Sequence, residues 1–215
     1  LMRLLHSILK TIMTTTKKAT TARAKKPATP RKKAAPVAIP DLPANPFVFE
    51  IFDVVSKQRS AAKKVEALQK FSHPCLKSLF IWNFDETVVS ALPPGDVPYA
   101  AIDGETGFNG TLTEKIEDAA SKMEELGSKS LGSQDQGRSS IRKEYTKFYN
   151  FVKGGNDGLS NLRRETMFIN ILQGLHPLEA QIICLVKDKN LESKYKITQD
   201  VVSKAYPDIQ WGNRS

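Results

Sequence analysis

Four side chains of this sequence have the chemistry to hold a soft metal ion: His73 with Cys75, and His176 with Cys184. A structural zinc site takes four such ligands in closely spaced pairs. The two pairs here are spaced two and eight residues apart and match no standard zinc motif. Both histidines stand directly before a proline, His73 before Pro74 and His176 before Pro177. Proline is favoured at the first position of a helix, so each histidine falls where a helix cap belongs. The two histidines therefore read as caps and the two cysteines as core side chains, and neither a metal nor a cofactor is expected.

Carboxylates gather at Asp85, Glu86, Asp96, Asp103 and Glu105. Such groups on one loop can bind magnesium or share acid–base work, but no motif fixes their mutual geometry. The run GGNDG at 154–158 offers backbone amides to a phosphate. It lacks the Lys-Ser/Thr ending of a phosphate-binding loop and follows a helical pattern instead of a strand, so it reads as a helix break. No Ser/His/Asp or Cys/His constellation stands out. No catalytic residue is assigned, and the protein is not expected to be an enzyme.

The charge pattern is more informative. The 215 residues carry a formal net charge of +9. Residues 1–40 hold ten Lys or Arg and no acid, which leaves 22 basic and 23 acidic side chains in the rest. The positive field belongs to the N-terminal segment, and the body is almost neutral. Residues 14–44 consist mostly of Thr, Ala, Lys, Arg and Pro, with Val37, Ile39 and Leu42 as the large apolar side chains. Such a stretch buries too little surface to offset its ordering entropy and is expected to be disordered. Lys17, Lys18, Arg23, Lys25, Lys26, Arg31, Lys32 and Lys33 are the candidate nucleic-acid contacts. They would bind DNA or RNA phosphates independently of sequence and with a steep salt dependence. No aromatic side chain is interleaved among them, so base stacking is not available there. Residues 1–12 form a short apolar and basic stretch that makes a poor signal peptide, and Met13 reads as an alternative start. An acid-free, Thr/Ala-rich leader also fits an organellar transit peptide.

The elements that follow are helical. Hydrophobic residues make up 40% and charged residues 26%, as in soluble globular chains, and no apolar run is long enough to span a membrane as a helix. Asn45-Pro46 reads as a cap and first helical position, followed by Phe47, Val48, Ile51, Phe52 and Val55 at helical spacing. Further helices are expected over 59–70, 74–84, from Thr111 or Thr113 to 126, and over 139–153, 159–173, 177–186 and 198–205. Residues 85–110 hold three prolines and four glycines and read as an ordered loop, with Val88-Val89 and residues 99–102 as a possible hairpin. Residues 127–139 read as a polar mobile loop. A helix-turn-helix over 177–206 fails on spacing, since about ten residues separate its helices where the motif has about three or four. Arg163, Arg164, Lys187, Lys189, Lys194 and Lys196 are a candidate secondary basic patch.

The expected architecture is mainly α. It has a disordered basic segment at 1–44 and a multi-helix globular body at 45–215, whose irregular Pro/Gly-rich loop at 85–110 lies between two helical subclusters. The run from Gly174 to Thr198, GLHPLEAQIICLVKDKNLESKYKIT, continuing to Ala205-Tyr206-Pro207, resembles an uncharacterised family found in large contractile-tailed phages, including those of marine cyanobacteria. Phe49-Glu50-Ile51-Phe52 at the start of the body belongs to the same resemblance, which covers most of 45–211. It implies a virus-encoded protein acting in the host bacterial cytoplasm or packed in a virion, and it would remove the transit-peptide reading. It supplies no activity and no catalytic residue. The expected role is a non-enzymatic accessory protein whose basic segment holds nucleic acid and whose body docks a phage or host protein. The alternative is a structural or interaction adaptor without nucleic-acid binding. No membrane association is expected.

Overall fold

Helix α1 (Val48–Lys57) starts two residues later than Asn45-Pro46 suggests. Its first amides are satisfied elsewhere: Glu50 Oε2 accepts the Phe47 N–H at 2.8 Å, and a carboxylate from the far end of the chain accepts that of Val48. The computed structural model describes residues 38–98, 110–126 and 138–212. All eight candidate nucleic-acid contacts lie outside them, as do Asp103, Glu105 and the proposed strand at 99–102.

The remaining helices are α2 (Ala61–Lys70), α3 (Pro74–Phe84), α4 (Leu112–Leu126), α5 (Ile141–Glu144), α6 (Asn161–Gly174), α7 (Pro177–Lys187), α8 (Leu191–Tyr195) and α9 (Gln199–Ala205). The chain is mainly α. Among the described residues, extended pairing is limited to two isolated bridges, Ser90 with Val152 and Ser139 with Leu175. Caps follow local chemistry. The hydroxyls of Ser60, Ser160 and Thr198 accept amides from the first turns of α2, α6 and α9. Thr111 and Glu114 form a reciprocal capping box at the start of α4.

Helix α7 organises the body. Leu178, Ala180, Ile182, Ile183 and Val186 are all buried, and the helix is covered on nearly every side by α1, α3, α4, α6 and α8. Helix α9 lies on α2 and α3, and the Tyr206 hydroxyl donates to the Leu68 carbonyl at 2.8 Å. The helices on either side of residues 85–110 share one core, from Val48 to Ile209.

Two local expectations need correction. The helix expected over 139–153 is α-helical only to Glu144 and then runs as a 3-10 helix over Tyr145–Phe151. The tighter turn aligns side chains three apart. It brings Phe148 and Phe151 onto Trp82, and Phe151 edge-on to Phe168 with ring centroids 5.2 Å apart. Val88-Val89 forms no regular strand, and residues 99–102 lie outside the described residues. The Val89 carbonyl accepts the Lys153 amide at 2.9 Å and the Ala91 amide donates to Phe151 at 2.8 Å, so this stretch pairs with the end of the 3-10 helix. Among the described residues no helix is long and apolar enough to cross a membrane.

Candidate functional site

His73 and His176 do cap helices. The Nδ1 of His73 accepts the Cys75 amide at 3.1 Å, and that of His176 accepts the Leu178 amide at 3.2 Å. With Nδ1 accepting, the proton of a neutral imidazole sits on Nε2. Burial and the positive charge of Arg142 hold the His73 pKa below its ordinary value of 6.5. The folded state therefore binds this proton less readily than the unfolded chain. The His73 contribution to stability is complete above pH 6.5 and is lost as the pH falls through the lowered folded value. Thermal unfolding between pH 7.5 and 5.5 is expected to show a loss in the parent that is reduced in His73→Asn, which caps without titrating. Cys75 and Cys184 are buried, and burial pushes both thiols up to about 12, far from reactive thiolate.

Three helix starts converge beside His73: those of α1, α3 and α5. Glu179, fully buried on α7, joins two of them. Its Oε1 accepts the Val48 amide at 3.0 Å and its Oε2 the Ile141 amide at 2.8 Å. Burial pushes this carboxyl up, and the two amides with Arg142 pull it back in part. His176 packs behind, stacked on Phe49 at 4.7 Å.

In front of these starts lies a pocket of about 450 Å³ lined by Phe47, His73, Arg138, Ser140, Arg142 and Lys143, among others. Its described lining contains three formal cations and no carboxylate. Arg142 gives its Nε–H to the Pro46 carbonyl at 2.9 Å, which orients the guanidinium. Arg138 and Lys143 are exposed and form no ion pair with the described residues. Exposed guanidinium and ammonium groups without an ion-pair partner attract anions, above all phosphate and carboxylate.

A second hollow, about 440 Å³, adjoins this pocket. Ile81, Trp82, Val88 and Phe148 form its apolar part, Tyr145 and Tyr149 its aromatic wall, and Lys153 stands at its rim. The His73 ring of the first hollow abuts the Tyr145 ring of the second edge-on, centroids 5.9 Å apart. Tyr149 is 54% exposed, unusual for so large a ring. The Trp82 indole N–H is buried without an acceptor among the described residues. The glycines at the rim are structural. Gly154 has φ +76, and a Cβ on Gly155 would come within 1.9 Å of the Tyr149 carbonyl oxygen. The GGNDG run is thus a tight chain reversal that supports the groove.

The secondary basic patch expected near the C-terminus is not a free positive surface. Arg164 is buried and donates to the carbonyls of Asn150, Asn156 and Leu159 and to Asn161 Oδ1. Lys187 is buried and donates to the carbonyls of Pro93 and Gly95 and to Asp188. Lys189 donates to the Asp85 carbonyl, and Lys194 to Glu124 and Gln181. Arg164, Lys187 and Lys189 tie down loops, Lys194 ties α8 to α4 and α7, and Arg163 and Lys196 are exposed. Of the loop acids, Asp85 is buried and accepts from the Thr87 amide and hydroxyl and the Gly212 amide. Sequence reasoning missed the basic pocket, although Arg138, Arg142 and Lys143 stand close together just ahead of two spaced tyrosines.

The fold and these hollows define a mainly α protein with a cation-lined pocket beside an aromatic groove. The chain belongs to a family of unknown function (DUF6433), whose matches cover residues 51–131 and 126–193, about two thirds of its length. No curated protein and no solved structure matches it.

Proposed function

We propose that this is a phage-encoded, non-enzymatic accessory protein that holds nucleic acid without reading its sequence, while its helical body docks a protein partner. One observation carries the reading: residues 1–40 hold ten cations and no acid beside a nearly neutral body. The acid-free pocket on the body adds to it. The resemblance of residues 174–207 to proteins of contractile-tailed phages supports the viral origin, and with it the host bacterial cytoplasm or the virion as the place of action. The phage or host protein partner rests on exposed apolar surface. Leu162 is 75% exposed over a hollow with Met167 and Ile171. That same surface favours a second reading, an adaptor that binds protein alone.

Anisotropy of a labelled DNA duplex at 50 and 200 mM salt separates the two. The full chain is compared with the same chain carrying Gln at Lys17, Lys18, Arg23, Lys25, Lys26, Arg31, Lys32 and Lys33. If five of these cations meet phosphates, the log–log slope is about −4 to −5 and affinity falls about 500-fold between the two salts. The Gln variant should lose most of that slope. Absence of binding by the full chain at 50 mM salt would leave the adaptor.

A further inference from the structure

We propose that the basic pocket and the aromatic groove together form a binding site for single-stranded nucleic acid, with backbone phosphate at Arg138 and Lys143 and a base on the Tyr149 ring. The proposal rests on the nucleic-acid reading above and gives it a second site, of different chemistry, on the folded body. A cationic track beside aromatic faces is the recurring arrangement for gripping single strands, because every base offers a π-face and every nucleotide a phosphate. The N-terminal segment supplies only charge. The body supplies both elements side by side.

Three observations combine. The described pocket lining holds three cations and no carboxylate; Glu179 and Glu144 lie near Arg142 and Lys143, but Arg138 and Lys143 form no ion pair with the described residues. The groove presents a half-exposed tyrosine ring above an apolar floor, in a volume that suits one planar heterocycle. The His73–Tyr145 contact makes the two hollows neighbours on one face. From Lys143 to Tyr149 the chain is one turn of α-helix passing into 3-10 helix, a rise of about 9–12 Å. A strand whose phosphates lie about 3.4 Å apart along the axis when stacked, and further apart when extended, covers that span in about two to three nucleotides. Duplex DNA keeps its bases stacked inside and cannot offer one to Tyr149.

The test uses the full chain with the eight N-terminal Gln substitutions, so that the basic segment contributes little, and labelled oligo-dT against a duplex of equal length. This chain is expected to prefer oligo-dT. Tyr149→Ala should weaken that binding about 5- to 100-fold with no change in salt slope, and Tyr149→Trp should restore it. Arg138→Gln with Lys143→Gln should reduce the slope by about 1.4. Lys204→Gln, an exposed cation on α9, should change nothing comparable. Arg138, Lys143, Tyr149 and Lys204 are exposed, and circular dichroism checks the fold. If Tyr149→Ala binds oligo-dT like its parent while the Arg138/Lys143 pair matters, the site is a bare anion pocket and the proposal fails. If the Gln-substituted chain binds no oligo-dT but the unmodified chain still binds duplex with a steep slope, the proposal also fails and the charge reading survives. If the unmodified chain binds neither probe, both fall.

Discussion

Glu179→Ala is expected to lower the unfolding free energy by about 3–5 kcal/mol, measured by urea denaturation at pH 7. The side chain is fully buried and its two oxygens terminate two separate helices, at Val48 and Ile141. Alanine removes both acceptors at once. Each buried amide left without a partner costs about 1–3 kcal/mol, and bonds to charged groups lie at the upper end. The truncation also opens a void next to His176 and Phe49. Glu179→Gln tests the assignment from the other side. Its oxygen serves one amide while its NH₂ faces the other, so about half the loss should return. A loss below about 1 kcal/mol for alanine would show that water replaces the carboxylate and that the two helix starts are not held from α7.

Arg164→Met should cost about 2–4 kcal/mol and should open residues 152–160 to proteases before the rest of the body. The guanidinium is buried and forms no ion pair with the described residues. Its charge is spread over three main-chain carbonyls and the Asn161 side-chain oxygen. Methionine fills most of the volume but donates nothing, which strands the carbonyls of Asn150, Asn156 and Leu159. Those carbonyls belong to the chain reversal behind Tyr149, so the damage is local first. Limited proteolysis with mass analysis of the first cut checks the order. A first cut elsewhere, at unchanged stability, would remove Arg164 from this role.

The local signals proved reliable where the physics is local. Each His-Pro pair starts a helix, and each histidine closes its own first turn. The four-three spacing of Leu112, Ile116, Ala119, Met123 and Leu126 yields α4. Helix α8 went unread because five residues make little more than one turn, too short for a periodic signal. The switch to 3-10 geometry after Glu144 depends on Trp82 and Phe168, aromatic partners distant in sequence. The site was hidden for the same reason. Its walls come from three helix starts far apart in the chain, and only folding shows that Arg138 and Lys143 stay free while Arg164 and Lys187 are consumed inside. Charge counted along the chain cannot separate these two fates.

The link from Val48 to Glu179 spans 131 residues, and this bears on how the protein is made. At about 5–20 residues per second on the ribosome, α1 emerges roughly 7–26 s before the carboxylate that completes its first turn. During that interval Phe49, Ile51 and Phe52 have no α7 to lie on. Until residue 179 is made, the nascent chain carries these apolar side chains with only the helices already synthesised to cover them, or in the keeping of a chaperone. Folding of the body therefore waits for α7, and slowing the ribosome between residues 48 and 179 should increase aggregation where it would help a chain that folds piece by piece.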